Sequence, residues 1–153
     1  MGQQASSIFT SPMNFSKQKK VIVIAGPTAV GKTAVGVALA KHLQTDIISA
    51  DSRQCFKELY IGVARPSIEE LAEVPHHFVA SHSIHDDVTA GTFEDFALQK
   101  ARDLFMHHDN VIMVGGTGLY IKAFTEGLDK IPGIDPSIRK KVIEGYEQKG
   151  LPW

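Results

Sequence analysis

Cysteine occurs once in the 153 residues, at Cys55. An internal disulfide is therefore impossible, multi-cysteine zinc and iron–sulfur sites are excluded, and the usage fits a reducing compartment. Charge of one sign is also lacking: 16 Lys and Arg stand against 17 Asp and Glu, for a formal net charge of −1. That excludes the global basic excess of a protein that grips nucleic acid by charge alone and leaves only local patches for RNA. No apolar run approaches the roughly 18 residues of a membrane span. The longest candidate, Val21 to Val30, is broken by Gly26 and Pro27. The N-terminus has no basic-then-apolar order of a secretory signal. Met1-Gly2-Gln3-Gln4-Ala5-Ser6 does satisfy the short myristoylation pattern, but the pattern is loose and a polar tail is the preferred reading. Apolar residues make up 43 % and charged residues 22 %, which excludes wholesale disorder and fits one compact domain.

Residues 1–19 are rich in Ser and Gln without periodicity and read as a disordered leader. Order is expected from Val21-Ile22-Val23-Ile24, whose unbroken β-branched character predicts a strand buried on both faces. A glycine-rich turn precedes a helix over Thr33 to Leu43, and Asp46 to Ala50 reads as a second strand ending at Asp51. Ser67-Ile68-Glu69-Glu70 is a capping box opening a short helix that Pro75 stops. Phe78-Val79-Ala80 is read as a further strand. Thr92 with Asp95 starts a helix that turns Phe93, Phe96, Ala97, Leu104 and Phe105 inward. Val111-Ile112-Met113-Val114 is another buried strand, followed by the turn Gly115–Gly118 and a helix over Leu119 to Phe124. Asp135 and Pro136 form a cap and first turn, with Gly150 as the stop. Between them Ile138, Val142, Ile143 and Tyr146 make an apolar stripe that wants a packing partner. Strands alternating with helices predict an α/β fold with a mostly parallel sheet covered on both faces, ligands gathering beyond the carboxyl ends of its strands.

The strongest chemical signal is Gly26-Pro27-Thr28-Ala29-Val30-Gly31-Lys32-Thr33, a full match to the phosphate-binding loop pattern, set between a predicted strand and a predicted helix. Its glycines let successive backbone N–H groups curl around phosphate oxygens, and the helix N-terminus adds its positive end. Lys32 supplies a mobile cation, and the Thr33 hydroxyl is placed to ligate Mg²⁺. The expected ligand is a di- or triphosphate. A P-loop ATPase would end a neighbouring apolar strand in an acid, whereas Val111–Val114 ends in Gly115-Gly116. Asp51 is the carboxylate in a comparable place, within Asp51-Ser52-Arg53-Gln54, where it could accept a proton, hold the metal's water shell or simply cap the next turn. The four arginines, Arg53, Arg65, Arg102 and Arg139, form no clustered pair of the kind a kinase lid needs. The seven histidines, among them His76-His77, His82, His85 and His107-His108, lack a regular ligand spacing, so surface loop histidines are preferred over a metal site.

Five blocks, in this order and at this spacing, resemble the tRNA dimethylallyltransferase family: Gly26–Thr33, Asp51–Gln54, Ile61-Gly62-Val63-Ala64-Arg65-Pro66, Val74-Pro75-His76-His77 and Gly115-Gly116-Thr117-Gly118-Leu119-Tyr120. The resemblance implies a P-loop NTPase-like domain over 20–130 and the start of a helical insertion over 131–153. It implies transfer of a dimethylallyl group from dimethylallyl diphosphate to N6 of adenosine 37 in tRNA, with Mg²⁺ as cofactor and the phosphate loop holding the diphosphate. By the same resemblance Asp51 is the general base, Lys32, the loop amides and Thr33 with Mg²⁺ stabilise the departing diphosphate, and Thr117 lies across the reaction channel. Asp51, Ser52, Arg53 and Gln54 then read the adenine and its neighbours. The implied setting is a cytoplasmic monomer with no membrane partner. Phe56, Val63 and Arg65 depart from the tyrosine, threonine and lysine common in the family. Members of the family are about twice as long, so the expectation is a chain that stops before the helical tRNA-binding part and binds diphosphate while modifying tRNA poorly. An adenylate isopentenyltransferase, a small-molecule P-loop kinase and a non-catalytic nucleotide-binding module are the alternative readings.

Overall fold

The computed structural model describes residues 18–129 and 132–150; the acylation pattern, nearly all of the expected leader and Leu151 to Trp153 lie outside them. The elements run β1 (Lys20–Ala25), α1 (Lys32–Leu43), β2 (Ile47–Ala50), α2 (Ile68–Glu73), β3 (His76–His77), α3 (Ala90–Phe105), β4 (Asn110–Gly115), α4 (Gly118–Glu126) and α5 (Pro136–Lys149). The four strands form one wholly parallel sheet in the order β1-β4-β2-β3.

Alternation along β2 and β4 sends side chains to two cores. Ile47, Ile112 and Val114 pack with Val37 and Ala40 of α1 and with Val74. Ile48, Val111 and Met113 pack with Phe93, Ala97 and Leu104 of α3 and with Tyr120 of α4. Helices therefore cover both faces, and the expected α/β architecture is present. In α1 the approach is very close: a Cβ on Gly36 would lie 2.6 Å from Val114 Cγ2. Gly115 is tighter still, since a Cβ there would sit 2.1 Å from the Ala50 carbonyl oxygen, so no larger residue fits where β4 ends beside β2.

Several local readings differ. Val21–Ile24 do form a strand, but β1 lies at an edge of the described sheet and is only half-buried. Phe78-Val79-Ala80 is not a strand; pairing occurs two residues earlier, at His76–His77, and both Phe78 (φ 66°) and Ala80 (φ 47°) adopt left-handed backbone that no strand allows. The Phe78 ring instead fills the centre of an aromatic cluster with Phe93, Phe96 and Tyr120. Helix α3 starts earlier than Thr92. Thr89 is its N-cap, accepting from the Thr92 N–H, while the Thr92 hydroxyl accepts from the Thr89 N–H. Asp135, Pro136 and Gly150 do bound α5, yet none of its residues is buried and Ile138, Val142, Ile143 and Tyr146 remain about half exposed.

Candidate functional site

The parallel strands β1, β4 and β2 release three turns at one edge of the sheet. After β1 comes the segment 26–31. Gly31 holds φ 90° as the residue preceding α1, and Ala29 holds φ 64°, so the backbone curls into a loop at the helix N-terminus. Successive N–H groups in such a curl, with the positive end of the helix, make an anion seat. Lys32 closes over the crest, donating from Nζ to the Pro27 carbonyl at 2.6 Å.

After β2 comes the turn Asp51–Gln54. Asp51 Oδ1 accepts the N–H groups of Arg53 (2.9 Å) and Gln54 (3.3 Å). The carboxylate therefore caps its own turn, as the plainer sequence reading allowed. Both bonds use one oxygen, so the second stays available for chemistry. Gln54 is held at both ends of its amide: Oε1 accepts from Ser49 Oγ at 2.9 Å, and Nε2 donates to the Ala64 carbonyl at 2.6 Å. After β4 comes Gly115–Thr117. Gly116 abuts the phosphate loop, since a Cβ there would lie 3.3 Å from the Gly26 carbonyl oxygen. The Thr117 hydroxyl accepts the Ser52 N–H at 2.9 Å and donates to Ser52 Oγ at 3.3 Å, tying α4 to the β2 turn.

These turns enclose a cavity of about 310 Å³. Thr28, Ala29, Gly31, Lys32 and Thr33 line one side, and Ser49, Asp51, Gln54, Arg65, Glu70 and His76 are among the residues on the other. Of the residues singled out in the sequence, Gly26, Pro27, Val30, Ser52, Arg53 and Thr117 stand outside this lining; Arg53 is exposed, whereas Ser52 and Thr117 brace the turn. Arg65, Glu70 and His76 were not expected there. Arg65 and His76 belong to two of the quoted blocks, but nothing in their spacing shows that they converge with Asp51.

The chemistry of the remaining polar groups is largely structural. His76 donates from Nδ1 to the Val74 carbonyl at 2.8 Å, its Nε2 is buried without a partner, and burial foremost pulls its pKa below the ordinary value. His77 Nε2 pairs with Asp46 Oδ2 at 2.8 Å. Burial pushes the Cys55 thiol up, which keeps it protonated and unreactive. Among the described residues no group of three or more His, Cys, Asp or Glu could hold a metal by itself. Among the residues lining the cavity, Thr33 offers a hard hydroxyl oxygen of the kind that suits Mg²⁺ when phosphate oxygens complete the shell. No helix among the described residues is long and apolar enough to cross a membrane.

Comparison with known proteins agrees with this geometry. The chain is 53 % identical over 133 residues to a tRNA dimethylallyltransferase of Cytophaga hutchinsonii and 50 % identical over 133 residues to one of Christiangramia forsetii, covering 87 % of this chain and 44 % of each relative. The chain thus spans less than half the length of these relatives. Among solved structures, the full-length tRNA isopentenylpyrophosphate transferase of Bacillus halodurans superposes with a TM-score of 0.71 at 32 % identity, over 87 % of this chain and 44 % of that one. A eukaryotic dimethylallyltransferase acting on tRNA gives 0.69 at 28 % identity, over 79 % and 31 %. The family model described as IPP transferase matches residues 54–153. With two-thirds of its length inside that match, and the sheet edge built as described, the chain belongs to the IPP transferase family.

Proposed function

We propose that this site binds dimethylallyl diphosphate on the 26–33 loop and serves transfer of the allylic group to N6 of an adenosine in tRNA, at position 37. The observation that carries the reading is the sharing of one cavity by the phosphate loop, Lys32, Thr33 and the Asp51 carboxylate. The proteins similar to this chain are named for that chemistry, and 53 % identity over 133 residues supports carrying it over.

In this reading the C–O bond of the allylic diphosphate breaks as the N6–C bond forms. Negative charge then grows on the diphosphate, where the loop N–H groups and the Lys32 ammonium receive it. Lys32 must give up the Pro27 carbonyl to do so, an exchange of a neutral acceptor for a charged one that favours the ligand. Asp51 accepts the proton released by the N6 amine through the carboxylate oxygen that the turn leaves unused. Thr117 and Ser52 hold that turn in place. Thr33 would hold Mg²⁺ together with the diphosphate, and the ion, when bound, would supply further positive charge to the leaving group. Gln54, with both ends of its amide engaged, holds the turn and the loop around Ala64 together, so base reading by the 51–54 segment falls to Asp51 and its neighbours. We propose a cytoplasmic setting and a monomer, the former in keeping with the buried free thiol of Cys55.

Calorimetric titration tests the ligand assignment. Dimethylallyl diphosphate with Mg²⁺ is expected to bind at least tenfold tighter than ATP, and the opposite order would make the site that of a kinase. Asp51→Asn should leave this binding within about threefold while lowering transfer to an anticodon stem-loop by about 10²-fold or more, the scale of a lost general base.

A further inference from the structure

The loop after the Asp51–Gln54 turn, residues 57–66, is braced at its base and apolar at its tip. Gln54 Nε2 donates to the Ala64 carbonyl, the Arg65 N–H donates to the Val63 carbonyl at 2.9 Å, and Arg65 Nη2 donates to the Phe56 carbonyl. At the tip, Tyr60 is 74 % and Ile61 98 % exposed. An apolar tip on a braced loop, beside a cavity, is the mark of a contact surface, because nothing in the fold gains from leaving such groups in water.

The residue that connects tip and cavity is Arg65. Its guanidinium lies over the Tyr60 ring, 4.7 Å from the centroid, while the same residue lines the cavity shared by Asp51 and Lys32. One ring face is thus backed by a cation and the ring as a whole stays largely open. The only acid of the loop, Glu58, is engaged elsewhere: its carboxylate accepts from Ser83 Oγ at 2.8 Å and from the Ile84 N–H at 3.0 Å. What the tip offers is a flat aromatic surface with cationic backing, the Glu58 carboxylate being held against Ser83 and Ile84, which matches a nucleic-acid base on a phosphate backbone better than an apolar protein segment.

We propose that Tyr60, backed by Arg65, is a stacking platform for an RNA base flanking the adenosine that enters the cavity, with Ile61 as its apolar margin. This rests on the reading of the cavity as the prenyl-transfer site. It adds a contact that holds the neighbouring nucleotide while the target base leaves its stack, a step that costs unstacking energy and needs a substitute surface.

The test is titration of the 153-residue chain into an anticodon stem-loop RNA carrying 2-aminopurine next to the target adenosine, carried to high micromolar protein. The expected result is quenched fluorescence with the unaltered chain, with Tyr60→Phe equal to it within twofold. Tyr60→Ala should lose the quench and weaken binding about tenfold, the scale of one lost base–aromatic stack, with an unchanged melting temperature because the side chain is exposed. Equal quench and affinity for Tyr60→Ala would overturn the platform alone and leave the tip to a protein partner. Binding of dimethylallyl diphosphate with no RNA binding at any concentration would also overturn the platform while the diphosphate reading stands. Failure to bind the diphosphate would remove the reading beneath it.

Discussion

Thr117 sits at the N-cap of α4 yet makes no capping bond to its own helix; its hydroxyl instead accepts the Ser52 N–H at 2.9 Å, 65 residues away in sequence. A position that ordinarily serves the helix serves the Asp51 turn. Thr117→Val keeps the shape and removes the acceptor, leaving a half-buried backbone N–H unpaired. The expected cost is about 1–2 kcal/mol in urea unfolding, with Thr117→Ser close to the parent. A Thr117→Val chain as stable as the parent would show that the Asp51 turn does not depend on this hydrogen bond.

Lys32 rests on the Pro27 carbonyl, so its ammonium is already near the seat that an anion would take. Lys32→Met keeps the apolar stem and removes the charge. Dimethylallyl diphosphate affinity should fall by about 10- to 100-fold, the worth of a hydrogen bond to a charged group, as read by calorimetry. Stability should change by less than about 0.5 kcal/mol, because the bond that is lost is exposed.

What could be read from the chain follows the range of the interactions involved. The glycine-rich loop, the apolar runs at Val21–Ile24 and Val111–Val114 and the caps at Ser67 and Asp135 are local patterns, and each stands where its pattern put it. Phe78–Ala80 misled because aromatic and β-branched residues favour strands, while here the aromatic cluster around Phe78 prevails over that preference and holds the backbone at positive φ. The strand order was not legible, since inserting β4 between β1 and β2 is a matter of packing over 60 residues or more. The same holds for the cavity. Asp51, Arg65, Glu70 and His76 converge only because β2, the braced loop and α2 fold against one edge of the sheet.

Gly115 marks that edge. Its Cβ-less backbone lets β4 lie against Ala50, and the Thr117 N–H then donates to the Ala50 carbonyl at 3.1 Å. Gly115→Ala would drive a methyl into backbone atoms that cannot turn aside. A loss of about 2–3 kcal/mol is expected in denaturant unfolding, together with weakened diphosphate binding as β2 and β4 part. An unchanged midpoint would mean that the two strands can separate there freely.

His76 gives the chain a pH dependence with a definite sign. Burial is the main cause of its lowered pKa, ahead of the bond to the Val74 carbonyl, which acts the other way. The unfolded chain therefore takes up a proton near the ordinary value of 6.5 while the folded chain resists it. Protons then favour the unfolded state, so the stability due to the neutral ring is fully present above 6.5 and is lost as pH falls below it. Melting temperatures measured between pH 7.5 and 5.5 should decline for the unaltered chain and decline less for His76→Gln, whose amide can still meet the Val74 carbonyl and cannot titrate. His77, paired with Asp46 across β3 and the β2 entry, serves as the control. If His76→Gln declines as steeply as the unaltered chain, the half-buried ring at the cavity wall is not the source of the pH dependence.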